Sequence, residues 1–380
     1  MNKKIIFYFL TALVVLTFKT DSSYSNPTIP KYDENYWTLE KMKEAKPLTI
    51  KNVGFRTRRG VKTIKNTTDS SRYMNSMQPF ERKYDVNTRV ANEDHVDQVK
   101  SIAIGLLFMS KDGEDYTCTA SVINTNDGNI GLTAAHCLFH YDTNSFFDNI
   151  IFSPGYDNGQ PGPLGNIPIA KVVVTNEFLH NNDDRFDWGM MLFNFNWNGL
   201  SLKHFTGALG FRFNPGDNVP TTIHGYPNGG VLANCPNDGL HLCTWQGETI
   251  LANYYYIVHD LNVGEGASGG PLMMNYDPNT NLGQLYSNYA SFDELNDQLL
   301  APIYNPVQFQ SLIDNSQQIK LQKDSTQYMM KNNLLHKQTR NGDKRTTLLR
   351  FKTEKENSKI ATSYDFISLD ILEVDPQDVL

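Results

Sequence analysis

The stretch Gly264-Glu265-Gly266-Ala267-Ser268-Gly269-Gly270-Pro271-Leu272 places one serine between glycines. Glycines on both sides of a serine allow backbone N–H groups to turn toward one point beside its hydroxyl. The N–H groups of Gly266 and Ser268 would then stabilise an oxyanion formed next to that hydroxyl. Ser268 is therefore a candidate nucleophile. A single stretch of this kind is more often a tight turn, so the interpretation needs further residues.

The same residues also fit a G-x-S-x-G elbow, through Gly266, Ser268 and Gly270. In α/β-hydrolases, which carry that elbow, the catalytic histidine follows the serine. Here His336 is the only histidine after Ser268, and it lies in a highly charged extension. No strand–turn–helix pattern surrounds Ser268 either, so we set this alternative aside.

A serine nucleophile needs a base, and the base needs a carboxylate to orient it. His136 ends the small-residue run Thr133-Ala134-Ala135-His136 and precedes Cys137. Asp187 interrupts an otherwise apolar strand, where an ionised carboxylate is costly unless it is hydrogen-bonded. An imidazole partner would meet that need, although a position at a strand edge or turn would also account for Asp187 alone.

Short alternating or apolar runs, broken by Gly, Pro, Asn and Asp, fill the middle of the chain. This pattern predicts an all-β sandwich or a pair of barrels. Pro306 in the first turn and apolar residues to bury predict one helix over Asn305–Asp314. The predicted strands are Ser101–Ser110, Cys118–Asn124, Ile169–Phe178, Asp187–Phe195, Val219–Tyr226, Tyr254–Leu261 and Gly283–Ser291.

The set His136, Asp187 and Ser268, in that chain order, resembles the catalytic triad of chymotrypsin-fold serine endopeptidases. The boxes Thr-Ala-Ala-His-Cys and Gly-Ala-Ser-Gly-Gly-Pro agree with that family. The resemblance implies two six-stranded antiparallel β-barrels with a C-terminal helix, over residues 90–315, divided at about 200. It also implies a disulfide between Cys118 and Cys137, beside the catalytic histidine.

His224-Gly225-Tyr226-Pro227 resembles a strand of the secreted bacterial, glutamyl-endopeptidase-like branch. Two departures from the wider family follow. Ala267 replaces the aspartate that pairs with a new N-terminus in pancreatic-type members, so that activation switch is absent. The stretch Gly283–Ser291 lacks the histidine with which glutamate-specific members bind a substrate carboxylate.

The family's pocket-floor position falls at Asn262, which is neutral and argues against strong selection for Arg or Lys. A two-residue slip would put Asp260 there instead, so specificity stays open. Ser287 and Asn288 are candidates for hydrogen bonds to the substrate backbone. The family's mechanism implies a polypeptide substrate and needs neither a metal nor another cofactor.

Cys235 and Cys243 lie eight positions apart around Pro-Asn-Asp-Gly, which favours a bridge that closes a hairpin. A zinc site built from all four thiolates is the alternative, but the cysteine spacings do not suit it. Disulfides persist in oxidising compartments. Residues 1–25 have the charged, apolar and small-residue order of a signal peptide. We therefore expect a secreted protein, extracellular or periplasmic, without a stable membrane anchor.

Charge is distributed unevenly along the chain. Residues 90–315 carry 6 Lys and Arg against 24 Asp and Glu, whereas residues 26–89 and 316–359 are each net +7. We expect residues 26–89 to be a basic pro-segment that docks on the acidic middle by long-range attraction, weakening with salt. Its removal is predicted between Arg82 and Arg89. Residues 316–380 form a charged extension with a possible strand at Phe366–Val374.

The formal net charge of −7 disfavours nucleic-acid binding, which needs a basic surface. The prediction is thus a monomeric, secreted serine endopeptidase made as a zymogen. A catalytically silent, protease-like binding or adhesion module is the main alternative. An esterase is a third possibility, since the same three residues would cleave esters.

Overall fold

The computed structural model describes residues 25–49, 76–84 and 101–317. They form α1 (Leu39–Glu44), α2 (Asn176–Asn181), α3 (Lys203–Thr206) and α4 (residues 306–317). The strands are β1 (Lys46–Pro47), β2 (Ser76–Met77), β3 (Ile104–Lys111), β4 (Glu114–Val122), β5 (Ile130–Thr133), β6 (Phe139–His140), β7 (Ser145–Phe146), β8 (Asp148–Pro154), β9 (Ile167–Val174), β10 (Gly189–Phe193), β11 (Gly210–Arg212), β12 (Val219–Gly225), β13 (Cys243–Ala252), β14 (Tyr255–His259), β15 (Pro271–Asp277), β16 (Leu282–Asn288), β17 (Ser291–Asp293) and β18 (Gln298–Pro302).

The first sheet is a closed antiparallel barrel of six strands. Its order is β4-β3-β8-β9-β10-β5, and β5 pairs again with β4. Between β3 and β4, Asp112 and Gly113 both have positive φ, the backbone that a two-residue hairpin turn requires. Leu107, Phe152 and Met191 are buried in its interior. The predicted barrel in this half of the chain is confirmed.

The second sheet has nine strands in the order β17-β18-β14-β13-β12-β15-β16-β11-β2. All its neighbouring pairs are antiparallel except β11 and β16, which run parallel. It differs from the predicted six-stranded barrel in strand number and in that parallel pair. Three short strands account for the larger number: β2, from the predicted pro-segment, extends one edge, β17 extends the other, and β11 lies next to β2 and forms the parallel pair with β16.

The predicted C-terminal helix is present as α4, and it joins the two sheets. Phe309 is fully buried on α4, with its ring 5.8 Å from that of Trp188 and 5.0 Å from that of Phe211. Trp188 precedes β10 of the barrel, whereas Phe211 lies on β11 of the second sheet. One aromatic residue of the helix therefore contacts both halves of the core.

Two N-terminal segments belong to these sheets. Thr28 forms reciprocal backbone hydrogen bonds of 2.9 Å with Val172 on β9, and β1 pairs with β4. Phe80 forms reciprocal bonds of 2.9 and 2.8 Å with Ala208. The described parts of the predicted pro-segment are thus integrated by backbone hydrogen bonds.

Several predictions fall outside the described residues: the signal peptide up to residue 24, most of the 82–89 cleavage region, and the extension from 318 onward with its strand at Phe366–Val374. Within residues 25–49, 76–84 and 101–317, no helix is both long and apolar enough to cross a membrane.

Replacing Phe309 by alanine should lower the free energy of unfolding by about 3–5 kcal/mol, because it removes a buried ring between the two sheets. Denaturant unfolding followed by fluorescence measures the change. Leu295→Ala is the control, since Leu295 is 77% exposed, and it should shift stability by less than about 0.5 kcal/mol. Equal effects of the two substitutions would contradict the role assigned to α4.

Candidate functional site

His136 and Asp187 are brought together by the pairing of β5 with β10. Gly189 on β10 lies opposite Thr133 on β5, so the residues just beyond these strand ends are neighbours. Asp187 Oδ2 lies 2.7 Å from His136 Nδ1, and Asp187 Oδ1 accepts the His136 backbone N–H at 2.9 Å. Both side chains are fully buried. Two hydrogen bonds therefore satisfy the buried carboxylate and hold the imidazole ring in place.

Further residues hold Asp187 from the side of the second sheet. Asn288 Nδ2 donates to the Asp187 carbonyl oxygen at 3.2 Å, and the Tyr304 hydroxyl donates to Asn288 Oδ1 at 2.8 Å. Burial raises the pKa of Tyr304 well above its ordinary value, and the Asp187 carboxylate adds to this. Tyr304 was not predicted, because no local pattern relates it to a residue more than a hundred positions earlier.

Ser268 lies in the loop before β15 of the second sheet and is attached to the barrel through Thr119 on β4. The Thr119 N–H donates to the Ser268 carbonyl oxygen at 2.9 Å, and the Thr119 hydroxyl donates to the Gly266 carbonyl oxygen at 3.0 Å. The Ser268 carbonyl oxygen is also 3.8 Å from Cys137 Sγ, next to His136. The Ser268 backbone thus lies beside the residue that follows His136, where the two sheets join. Thr119 is a residue that sequence reasoning missed.

The glycines around Ser268 have the backbone that the sequence led us to expect. Gly266 and Gly269 have φ of +78° and +84°. A Cβ on Gly269 would lie 2.1 Å from Thr133 Oγ1 and 2.3 Å from the Thr119 carbonyl oxygen, so only glycine fits. Among the described residues, neither the Gly266 nor the Ser268 N–H donates to a protein acceptor. These two donors are free to bind an oxyanion.

His136 Nε2, the imidazole nitrogen not bonded to Asp187, has no hydrogen-bond partner in the described part of the chain. It is the nitrogen that can accept a proton from Ser268. Catalytic hydrogen bonds in unliganded sites are often long and tighten only when substrate binds.

A cavity of about 130 Å³ adjoins Ser268. Its walls come from two loops of the second sheet and from one N-terminal segment: Leu48, Thr49, Asn262, Gly264, Glu265, Ser268, Tyr289, Ala290, Ser291, Phe292 and Glu294. Burial raises the pKa of the Tyr289 phenol, and the nearby Glu265 carboxylate adds to the effect. The cavity is large enough for one side chain.

The three predicted substrate-binding residues have different surroundings. Asn262 lines the cavity, and its Oδ1 accepts the Gly264 N–H at 3.0 Å. Ser287 is fully buried and donates to the Pro302 carbonyl oxygen at 2.6 Å, whereas Asn288 is fully buried against Asp187. Binding of substrate by Ser287 or Asn288 stays a prediction. In this structure Ser287 links β16 to β18, and Asn288 holds the backbone of Asp187.

Both predicted disulfides are present, Cys118–Cys137 and Cys235–Cys243. Sulfur atoms of Cys118 and Cys137 cluster with His136 within 4.8 Å. Sulfurs bonded to each other are not thiolates, so this cluster lacks the ligands that zinc requires. The geometry therefore does not suit the four-thiolate zinc alternative.

Asp184, three residues before Asp187, is a carboxyl with a perturbed pKa. Burial raises the pKa of Asp184 to about 6; a hydrogen bond from Tyr255 opposes the shift, and the charges of Asp183 and Asp187 add to it. Arg185 is paired with Asp183 and lies over the Tyr254 ring at 4.7 Å. It lowers the pKa of Asp184 only slightly, as the smallest of these contributions.

The raised pKa of Asp184 predicts how the free energy of unfolding changes with pH. Because the folded chain binds this proton more tightly than an unfolded aspartic acid with pKa 3.8, the resulting stability is present at low pH and lost as pH rises from about 4 to about 6. The unfolding free energy of the unaltered chain, minus that of Asp184→Asn, should fall by about 2 kcal/mol over that range. Urea unfolding at several pH values measures it, with exposed Asp112→Asn as the control. A difference independent of pH would refute the assignment.

The family model of the lysyl endopeptidase C-terminal domain matches residues 81–299, more than half of the chain. No curated protein sequence matches.

Solved structures similar to this chain include the protease Anisep from Arthrobacter nicotinovorans, at 23% identity, TM-score 0.47, covering 56% of this chain and 94% of that one. The thermostable serine protease AL20 from an extremophilic microorganism is 22% identical, with TM-score 0.49 and coverage of 57% and 98%. A Glu endopeptidase is 14% identical, with TM-score 0.43 and coverage of 62% and 98%. Together with the barrel, the second sheet and the terminal helix, the family match shows that the chain belongs to the lysyl endopeptidase C-terminal domain family, a family of proteases with the chymotrypsin-like fold.

Proposed function

We propose that this protein is an exported serine endopeptidase in which Ser268 is the nucleophile, His136 the general base and acid, and Asp187 the residue that orients His136. The observation that supports this best is the fully buried His136–Asp187 pair, 2.7 Å apart, beside a serine flanked by two free N–H donors. The two disulfides support export, because such bonds persist in oxidising compartments.

In this mechanism, His136 Nε2 takes the Ser268 hydroxyl proton as Oγ forms a bond to the scissile carbonyl carbon. The carbonyl electrons move to oxygen, which accepts hydrogen bonds from the Gly266 and Ser268 N–H groups. The carbon–nitrogen bond then breaks, and His136 gives its proton to the leaving amine. Water, deprotonated by His136, attacks the acyl-enzyme and releases the carboxylic acid and Ser268. Asp187 stabilises the imidazolium throughout.

Ser268→Ala should lower kcat for a peptide substrate by at least about 10⁴-fold, and Asp187→Asn by about 10⁴-fold through loss of the correct imidazole tautomer. Steady-state hydrolysis and labelling by a fluorophosphonate probe measure both effects. Ser145→Ala, on the separate β6–β7 hairpin, and Asp112→Asn, in the exposed β3–β4 turn, are the controls. Undiminished hydrolysis by Ser268→Ala would end the proposal. A folded chain that neither hydrolyses peptides nor labels would favour the binding-module alternative, and ester turnover without peptide cleavage would favour an esterase.

The cavity beside Ser268 leads us to propose a modest preference for a basic side chain before the scissile bond. Glu265 and Glu294 are exposed carboxylates on its lining, and the described lining residues include no Lys or Arg. The name of the matching family supports the same substrate class. Asn262 supplies no charge, so discrimination rests on exposed carboxylates, whose attraction for a cation is worth only about 1 kcal/mol each in water.

Peptides with lysine before the scissile bond should therefore be cleaved about tenfold faster, in kcat/KM, than matched peptides with glutamate. Glu265→Gln should reduce that ratio about threefold, because it removes one of the two carboxylates that together supply the roughly 1.4 kcal/mol of a tenfold preference. Glu248→Gln, an exposed change on β13, serves as the control. A lysine-to-glutamate ratio that Glu265→Gln leaves unchanged would show that this carboxylate does not select substrate.

A further inference from the structure

The N-terminal segment is bound to the barrel mainly by contacts that do not depend on charge. The Ser25 N–H donates to the Val174 carbonyl oxygen at 2.8 Å, and Trp37 Nε1 donates to the Asn149 carbonyl oxygen at 2.6 Å. Met42 is 1% exposed in the core that contains Phe108. Ion pairs such as Lys46 with Glu114 lie at the surface, where such pairs contribute little. These described contacts do not need the long-range attraction expected from the sequence, which stays a prediction.

Residues 46–49 of this segment lie in the candidate active site. The Leu48 N–H donates to the Thr117 carbonyl oxygen at 2.9 Å, and Thr117 precedes the Cys118 whose disulfide partner follows His136. Pro47 lies against the loop that contains Gly266 and Ser268, since a Cβ built on Gly266 would be 3.2 Å from Pro47 Cβ. Leu48 and Thr49 then line the same cavity as Ser268.

Burial of the reacting groups agrees with a covered cleft. Leu48 is fully buried in the apolar cluster that contains Cys118, Cys137 and Leu138. His136 is also fully buried, and Ser268 is 4% exposed. An imidazole that must meet an incoming peptide would reach solvent in an open cleft, so this conformation disfavours substrate binding.

The direction of the segment is opposite to that of a substrate. Under the proposed function, the residue before the scissile bond fills the cavity, and the chain then continues past Ser268 toward Gly266 and Thr117. Residues 46–49 instead begin at Thr117, where β1 runs parallel to β4, and reach the cavity at their C-terminal end. Lys46, the segment's only basic residue here, is bonded to Glu114 at 2.6 Å rather than placed in the cavity.

We propose that residues 46–49 act as an internal inhibitor. They pair with β4 as an added strand and pass through the cleft in the direction opposite to that of a substrate. The buried side chain of Leu48 anchors them. This inference rests on the proposed protease function. A reversed peptide presents no correctly oriented carbonyl to Ser268, so it blocks the cleft without being a good substrate. Removal or displacement of this segment is then the activating event, in place of the buried ion pair that Ala267 rules out.

The test uses the full chain carrying Leu48→Asp, which puts a charge into the apolar site that Leu48 fills. Its initial kcat/KM for a peptide substrate, measured while the chain is intact by mass, should exceed that of the unaltered chain roughly tenfold or more. Leu39→Asp is the matched control, because Leu39 is 44% exposed on α1 of the same segment, and it should leave the rate unchanged. The gain should differ by less than about twofold between low and high salt.

A synthetic peptide of residues 44–50 should inhibit the Leu48→Asp chain competitively, and the same peptide with Leu48→Asp should not. If Leu48→Asp does not fold, Leu48→Ala takes its place, with a smaller gain expected and the same peptides applied. A chain that labels at Ser268 and hydrolyses peptides, but whose rate neither substitution raises, would overturn the inhibitor and leave the protease proposal standing. Absence of labelling and hydrolysis in every form would overturn the protease proposal itself.

Discussion

The buried carboxylate of Asp187 is the constraint on which this site depends. With no solvent to stabilise it, the group requires hydrogen bonds from the protein, and His136 supplies both of them, from Nδ1 and from the backbone N–H. Those bonds require β5 and β10 to pair in one register, with Gly189 opposite Thr133. A shift by one residue would turn the side chains of β10 to the other face of the sheet, so the register of the barrel and the geometry of the site are determined together.

Thr119 forms several of the hydrogen bonds that connect the barrel to the second sheet. Its backbone N–H and its hydroxyl hold the Ser268 loop, and its carbonyl oxygen accepts the Thr133 hydroxyl at 2.7 Å, on the strand that precedes His136. Its hydroxyl oxygen also accepts the Tyr226 N–H at 3.0 Å. One small residue of the barrel therefore relates the serine of the second sheet to the histidine of the first. Because Thr119 and Thr133 fill the space beside residue 269, that position must be glycine.

The N-terminal segment uses the same edge of the barrel. The carbonyl oxygen of Thr117, two residues before Thr119, accepts a hydrogen bond from the Leu48 N–H. Strand addition is an efficient way to hold a peptide at a cleft, because backbone hydrogen bonds bind it regardless of its sequence while buried side chains determine its register. The edge that would bind a substrate peptide is thus also suited to bind an inhibitory one, and the direction of the strand distinguishes the two.

The amino-acid sequence by itself predicted the β class, the terminal helix and the Cys235–Cys243 bridge, and it singled out Ser268, His136 and Asp187 as candidates. Short alternating runs have a period that only strands satisfy, and closely spaced cysteines around a turn favour a local bridge. The Cys118–Cys137 bridge and the joint role of the three candidates came from the resemblance to a family, and that role stays a prediction. Only the tertiary structure could reveal Thr119, Tyr304 and the position of residues 46–49. Their roles depend on contacts between residues far apart in the chain, and no local pattern records such contacts. For the same reason, composition makes visible only the opposite net charges of the N-terminal segment and the acidic middle, whose attraction stays a prediction, whereas the pairing of β1 with β4 and the burial of Leu48 depend on the folded barrel.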